Sequence, residues 1–260
     1  MKIKEVAETL ERFAPLPLQE GYDNAGLQIG LTDADTSGVL LCLDVTEEVI
    51  EEAAAKGCNM VVAHHPLLFR GVKRIADETL IERCIRTAIL KDITIYAAHT
   101  NLDNAEGGVN FEIARRIGLE DVSFLQPLPN NTGGSGIIGT LTTPEEPIAF
   151  LHRIKETFDI DCLQHNLPPS HPIQKVALCG GSGDFLVDTA IRQGADAFLT
   201  GEMGYHHFFG YDNKILIGAL GHYQSEQFTV GLMADILRKA HPELKIVETS
   251  VNTNPIHYLC

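Results

Sequence analysis

Short apolar runs alternate with segments of helical periodicity along the first third of the chain. The stretch "VLLCLDVTEEVIEEAAAKGCNMVVAHH" (39–65) predicts a short buried strand, then a helix, then a second buried strand. Gly57 is expected to close the helix at its C-terminal cap. Two apolar strands joined by a helix predict a β-α-β unit, in which parallel strands are connected by a right-handed crossover.

The same pattern returns 137 positions later. Residues 39–65 and 176–202 align without a gap, and Gly57 falls on Gly194. A later pair of segments, "ITIYAAHTNLD" and "ILIGALGHYQSE", again consists of apolar strands that run into a histidine. The sequence therefore predicts an α/β fold of two similar lobes related by internal duplication, with a polar site in the cleft between them.

The boundary between the lobes is expected in "PLPNNTGGSGIIG" (127–139), whose Asn, Gly and Ser residues are typical of a flexible join. We therefore predict a first lobe at residues 1–130 and a second at residues 131–260. The N-terminal segment "MKIKEVAETLERF" is expected to form an amphipathic helix rather than a signal peptide.

Adjacent histidines end the second apolar strand, in "VVAHHPLLF" (61–69). Neighbouring side chains on a regular strand point to opposite faces. Pro66 favours an exit from the strand, so that His64 and His65 can face one cleft. Imidazole is a common ligand of first-row metals, and a metal site is the resulting hypothesis.

Other strand ends supply further candidate ligands. Asp103 follows His99 by four residues, and Glu226 follows His222 by the same interval. The predicted metal ligands are His64, His65, Asp103, His222 and Glu226. Three histidines and two carboxylates suit two divalent ions, which the mixed N/O set leaves open as Zn, Mn, Fe, Co or Ni. His99 is expected to orient a neighbour rather than to bind metal.

Two further segments are expected beside the cleft. In "GYDNAGLQIG" (21–30), Asp23 and Asn24 can hydrogen-bond a ligand or a metal-bound water, or can form a plain Asx-turn. In "TGEMGYHH" (200–207), Glu202, His206 and His207 are candidates for a general acid or base, with purely structural roles as the alternative. "GGSGDF" (180–185) resembles a loop that holds phosphate at a helix N-terminus, but it lacks the lysine of a P-loop.

Composition narrows the function classes. The formal net charge of −15 argues against a nucleic-acid partner. No apolar run approaches the roughly 20 residues that a membrane span needs. The six cysteines are scattered, which favours buried thiols in a cytoplasmic protein over a disulfide framework or a cysteine metal site.

The segments "DNAGLQIG", "VVAHHPLLF", "AAHTNLDNAEGGVN", "TGEMGYHH" and "GHYQSE" together resemble the NIF3-like proteins, also labelled GTP cyclohydrolase 1 type 2 homologs. The resemblance implies a dinuclear metal centre with the same five ligands, Glu226 bridging, and a toroidal homohexamer whose sites face an internal cavity. Some longer relatives carry an inserted domain where this chain has only "NNTGGSG". The expected form is therefore the compact one, or one from which an insert has been removed.

Two main functions remain open at this point. The first is a metal-dependent hydrolase, GTP cyclohydrolase-like, in which a metal-activated water attacks a nucleotide or a related phosphate or cyclic amide compound. The second is a non-enzymatic metal-binding scaffold or metabolite-binding ring. A metal-free nucleotide-binding protein is a third hypothesis, and it depends on the "GGSG" loop alone.

Overall fold

The computed structural model describes residues 1–259 of the chain. The helices are α1 (Ile3–Phe13), α2 (Glu47–Ala55), α3 (Leu80–Leu90), α4 (Thr100–Asp103), α5 (Val109–Ile117), α6 (Pro147–Phe158), α7 (Val187–Arg192), α8 (His222–Glu226) and α9 (Thr229–Ala240). The strands are β1 (Gly26–Ile29), β2 (Val39–Cys42), β3 (Met60–Ala63), β4 (Thr94–Ala97), β5 (Leu119–Pro127), β6 (Gly134–Glu145), β7 (Gln164–His165), β8 (Ile173–Cys179), β9 (Ala197–Thr200), β10 (Leu216–Ala219) and β11 (Ile246–Glu248).

The chain forms two compact units, and each contains one sheet. The first unit comprises residues 1–102 and 229–255, and the second comprises residues 103–228 and 256–259. The predicted α/β class is therefore confirmed.

The sheet of the first unit has the strand order β1-β4-β3-β2-β11. Its four strands β4, β3, β2 and β11 are parallel, and β1 pairs antiparallel with β4 at the edge. All residues of β2, β3 and β4 are buried, as expected for parallel strands covered on both faces. The predicted N-terminal helix is present as α1, which buries Ile3, Val6 and Leu10 at helical spacing and packs against α9.

The sheet of the second unit is mixed and has the order β5-β6-β8-β9-β10-β7. Strands β8, β9 and β10 are parallel to one another, while β5, β6 and β7 pair antiparallel with their neighbours. The core against this sheet includes Phe198, Leu186 and Ile217, which are all fully buried.

The internal repeat is visible in the strand registers. Val39 pairs with Met60 in the first unit, and Val176 pairs with Ala197 in the second, the same interval of 21 residues. The equivalent glycines Gly57 and Gly194 each lie two residues after the end of their helix and have φ values of +66° and +75°. The second helix is shorter, because a 3-10 turn at Asp184–Leu186 precedes α7.

The structure divides at a different place from the predicted boundary at residues 130 and 131. Pro127 of β5 pairs with Gly134 of β6, so the glycine-rich segment is the turn of a hairpin inside one sheet. The first unit ends at Leu102 and resumes at Thr229, so that α9 and β11 complete it from the C-terminal end. A polar, glycine-rich composition fits a hairpin turn as well as a linker, and this explains the difference.

The prediction that the cysteines are buried thiols holds for part of the chain. Cys42, Cys58 and Cys84 are buried free thiols, and Cys179 is a partly buried one. Cys162 is instead exposed and disulfide-bonded, so the prediction of a buried thiol is wrong there. Cys260 lies outside the described residues. Across residues 1–259 the longest helices have 12 residues, and none is long and apolar enough for a bilayer crossing.

Candidate functional site

His64 and His65 continue directly from β3 at the carboxyl end of the parallel strands. Their backbone N–H groups donate to the carbonyls of Cys42 and Leu43, at 3.1 and 2.9 Å, so the pairing with the segment of β2 extends past the assigned strand. The His64 side chain is buried and that of His65 is partly exposed. Their ring centroids lie only 4.9 Å apart. Both imidazoles therefore face one region, as the sequence predicted.

Three histidines of the first unit have the same hydrogen-bonding pattern. His64 Nδ1 lies 2.8 Å from the carbonyl oxygen of Ala98. His65 Nδ1 lies 2.7 Å from Asp44 Oδ1, and His99 Nδ1 lies 2.7 Å from Asp23 Oδ1. A carbonyl or carboxylate oxygen accepts, so Nδ1 is the donor and Nε2 carries the lone pair in each neutral ring. Metal-binding histidines in proteins are held in this way.

His99 lies within this histidine group, although the sequence suggested only an orienting role. Its ring centroid lies 5.3 Å from that of His64 and 5.5 Å from that of His65. One ligand nitrogen from each of the three rings lies within 4.8 Å of the others. Three imidazole nitrogens at this spacing can hold a divalent transition-metal ion, so the donor set fits the expected metal.

Asp44 is a supporting residue that the sequence reasoning missed. One oxygen of its carboxylate accepts from His65 and the other accepts from Thr253 Oγ1 at 2.9 Å. Burial alone would raise the pKa of Asp44, but these hydrogen bonds and the nearby imidazoles outweigh it and lower the pKa. Asp44 therefore stays ionised and fixes the His65 ring. Its position directly after an apolar strand was the available signal.

Asp23 and Asn24 make their contacts within the protein. The side chain of Asp23 is fully buried, and its oxygens accept from His99 Nδ1 and from the backbone N–H and hydroxyl of Thr100. Burial would raise its pKa, yet the bonds from His99 and Thr100 lower it to about 2. Asn24 Nδ2 donates to the Leu68 carbonyl at 2.8 Å. In this arrangement Asp23 supports His99. Contact of Asp23 or Asn24 with a ligand or a metal-bound water stays a prediction.

In the second unit, His222 lies between two carboxylates. Its Nε2 is 3.1 Å from Glu226 Oε2, one turn along α8, and its Nδ1 is 3.1 Å from Glu202 Oε1. The Glu226 side chain is only 4% exposed, whereas that of Glu202 is 55% exposed. A buried carboxylate needs a nearby positive charge or strong donors. The predicted ligands His222 and Glu226 are thus adjacent and suited to a cation.

Because Gly181 has no side chain, the Glu226 carboxylate has room beside it. The φ of Gly181 is +59°, and a Cβ built there would lie 2.4 Å from Glu226 Oε1. Any larger residue would therefore strain the backbone and displace the Glu226 carboxylate.

The glycine-rich segment around Gly181 differs from the suggested phosphate loop. The N–H groups of Gly180, Gly181 and Gly183 donate to Asn110, Ser225 and Thr200 side chains of the same unit. Because these donors are engaged internally, the metal-free nucleotide-binding alternative loses the observation on which it depended.

The other predicted site residues of the second unit differ in their surroundings, and a carboxylate oxygen of Asp103 lies within 4.8 Å of one of Glu226. Asp103 is the last residue of α4, is partly buried, and accepts at its backbone carbonyl from Asn110 Nδ2. Glu202 contacts His222, as described, and accepts from Ser182 Oγ at 2.7 Å. His207 Nδ1 lies 2.6 Å from Asp184 Oδ2, and the His206 ring stacks on Phe209. Of the three proposed acid-base residues, Glu202 is the one in contact with a candidate metal ligand.

Known proteins match this chain over almost its whole length. The sequence model of Duf34/NIF3 (NGG1p interacting factor 3) matches residues 1–255. A "GTP cyclohydrolase 1 type 2 homolog" of Clostridium perfringens is 35% identical over 228 residues, covering 87% of each chain. Its namesake in Clostridium acetobutylicum is 32% identical over 244 residues, covering 92% of this chain and 91% of the relative.

A solved structure has the same fold. The Staphylococcus aureus protein SA1388 superposes with a TM-score of 0.91 at 27% identity, covering 100% of this chain and 99% of its own. The site contains the histidine group after β3 and β4 and the His222–Glu226 pair. Together with the similarity in both sequence and fold, it shows that the chain belongs to the Duf34/NIF3 family.

Proposed function

We propose that this protein is a hydrolase that depends on two divalent metal ions. In this proposal His64, His65, Asp103, His222 and Glu226 are the ligands, and the ligands of both units hold the same pair of ions. The substrate is a nucleotide or a related phosphate or cyclic amide compound. The name carried by the clostridial relatives, "GTP cyclohydrolase 1 type 2 homolog", is consistent with such a substrate.

The observation that carries the proposal is the shared hydrogen-bond geometry of the histidine group, in which Nδ1 of each ring lies against an oxygen acceptor. An ordinary polar cluster has no need to fix three neighbouring rings with Nδ1 on an oxygen acceptor. A metal site does, because the ring must present its Nε2 lone pair in a fixed direction. Nitrogen and carboxylate donors without sulfur suit Zn, Mn, Fe, Co or Ni.

The residues around these ligands have distinct tasks in the proposed reaction. Bound divalent ions supply a water of lowered pKa. Asp44 and Asp23 keep His65 and His99 in their orientation. Glu202 is exposed and touches His222, so its carboxylate can accept a proton at the solvent side, as a general base must. Ser182 donates to the other oxygen of Glu202 and fixes its direction.

The test begins with elemental analysis of the full chain purified without chelator. We expect two divalent ions per chain, and turnover of at least one member of a nucleotide and phosphoester panel. A His65→Ala variant should remain folded by circular dichroism, bind less metal and lose turnover. Metal binding without turnover of any panel member would contradict the hydrolase and support a non-enzymatic metal-binding scaffold.

We also propose that the chain assembles into a homohexamer. The amphipathic helix α3 supports self-association, because Leu80, Ile89 and Leu90 are 47%, 58% and 75% exposed. Exposed apolar side chains on one element are typical of an interaction surface. Light scattering coupled to size exclusion should give six times the 28.4 kDa chain mass. A monomer at micromolar concentration would contradict this.

A further inference from the structure

A cavity in the second unit has none of the candidate metal ligands in its lining and has a composition of its own. Its volume is about 340 Å³, and it is lined by Asp184, Asp188, Met203, His206, Phe209 and Tyr211, with Phe185 and His207 beside them. We call it the acidic aromatic cavity. Small-molecule sites in proteins begin at about 300 Å³ and combine aromatic walls with a few placed polar groups.

The charged groups of the cavity have one sign. Its lining includes two carboxylates and no lysine or arginine. Asp184 uses Oδ2 for His207, and Asp188 uses Oδ1 to accept from the Tyr211 hydroxyl at 3.0 Å. The second oxygen of each carboxylate remains as an acceptor for a ligand. Such a lining attracts cations and repels phosphates and carboxylates.

The aromatic rings of the cavity are unusually open to solvent. Phe209 is 66% exposed and Phe185 is 59% exposed. The Phe209 and His206 rings are close to parallel, at 25°, with centroids 6.3 Å apart. An aromatic face has a negative quadrupole that attracts a cation lying over it. Met203 is buried and supplies a polarizable apolar contact.

The kind of cation follows from these two features. Within the described chain, the aspartates and histidines of the cavity are not among the side chains placed closely enough to hold a metal ion. The exposed rings instead offer flat apolar surface, which a hydrated inorganic ion cannot use. We propose that the acidic aromatic cavity binds a planar organic cation, such as a protonated or N-alkylated nitrogen heterocycle. The proposal rests on the cavity alone and goes beyond the metal-dependent activity.

Three ligands that differ mainly in charge test the proposal. They are 1-methylnicotinamide, a cation; nicotinamide, which is neutral; and nicotinate, an anion. Isothermal titration calorimetry on the full chain, at low ionic strength and with a chelator present, keeps the result independent of bound metal. We expect the cation to bind about tenfold more tightly than the neutral ligand, and the anion most weakly of the three.

Variants localise the binding. Asp188→Asn keeps an oxygen for Tyr211 but removes a charge, and it should abolish most of the preference for the cation. Phe209→Leu keeps an apolar side chain, and it should lower the affinity for the cation more than the affinity for the neutral ligand. Asp235→Asn, which changes an exposed carboxylate outside the cavity, should leave all three affinities unchanged.

Some outcomes would overturn the proposal. They are equal affinities for the cation and the neutral ligand, tightest binding of the anion, or no detectable binding of the cation at millimolar concentration. A preference for the cation that persists in both Asp188→Asn and Phe209→Leu, with their thermal unfolding unchanged, would place the binding elsewhere and would also overturn it.

Discussion

Nδ1 of His65 lies 2.7 Å from Oδ1 of Asp44, and the other oxygen of that carboxylate accepts from Thr253. Thr253 belongs to the C-terminal segment, 209 positions away from Asp44 in sequence. This segment is fixed in turn by Glu52 on α2, which accepts hydrogen bonds from Thr249 and Ser250. The orientation of a candidate metal ligand therefore depends on residues near the end of the chain.

Removing the charge of Asp44 should weaken metal binding without unfolding the protein. Loss of a carboxylate that supports a metal-binding histidine typically costs about 10- to 100-fold in affinity. We expect a loss in this range for Zn or Mn in Asp44→Asn, and a smaller loss in Thr253→Val. Titration calorimetry measures the affinities. The control is Glu48→Gln, an exposed carboxylate on α2, and equal affinities in all three variants would contradict a positioning role for Asp44.

Gly181→Ala should disturb Glu226 specifically. Gly181 and Gly194 both have positive φ, +59° and +75°, so an alanine strains the backbone at either position by about 1–2 kcal/mol. A Cβ at Gly181 meets Glu226 Oε1, whereas a Cβ at Gly194 meets no atom within 4 Å. We expect Gly181→Ala to lose bound metal and Gly194→Ala to retain it. Elemental analysis and thermal unfolding of both variants separate the two effects, and equal metal content would contradict our reading of this contact.

Acid should destabilise the protein partly through Asp23. The folded-state pKa is about 2, below the ordinary value of 3.8, so the unfolded state takes up the proton first as the pH falls. The contribution of the ionised Asp23 carboxylate to the free energy of unfolding is complete above about pH 4, and it is lost as the pH falls toward about 2. It amounts to about 2 kcal/mol at most. Urea unfolding of Asp23→Asn should show a weaker pH dependence over this interval than the native protein or Asp77→Asn, a control at an exposed aspartate.

A double substitution tests whether both units bind the same ions. His65→Ala and Glu226→Gln each remove a proposed ligand, one from each unit. If the ions are shared, either single change lowers the metal content and the metal affinity. The loss of binding free energy in the double variant is then much smaller than the sum of the two single losses, because the effects of residues that act on one site do not add. Elemental analysis and metal titration give the four values. Losses that simply add would show that the units bind metal independently.

The repeated pattern allowed much of the fold to be predicted. Fully apolar strands such as Val39–Cys42 and Met60–Ala63 are typical of parallel sheets, and the ungapped repeat carried the prediction into the second unit. The placement of His64 and His65 at a strand end followed from the same pattern and Pro66.

The supporting contacts were harder to predict because they join distant segments. Helical and strand periodicity identifies an element but not its partner, so the pairing of β11 with β2 was missed. The bond from Thr253 to Asp44 has no local signal in the sequence. Asp23 was predicted to contact a ligand or a metal-bound water, or to form an Asx-turn, and only the fold shows that His99 lies against it.

The return of β11 to the first sheet has a consequence for biosynthesis. The six strands of the second sheet have all been translated by Ala219, but the first sheet lacks its edge strand until Ile246–Glu248 has been made. A nascent chain on the ribosome therefore cannot complete the first sheet before the strands of the second sheet have been synthesised. Because translation runs from the N-terminus to the C-terminus, all strands of the second unit are made before the last strand of the first unit.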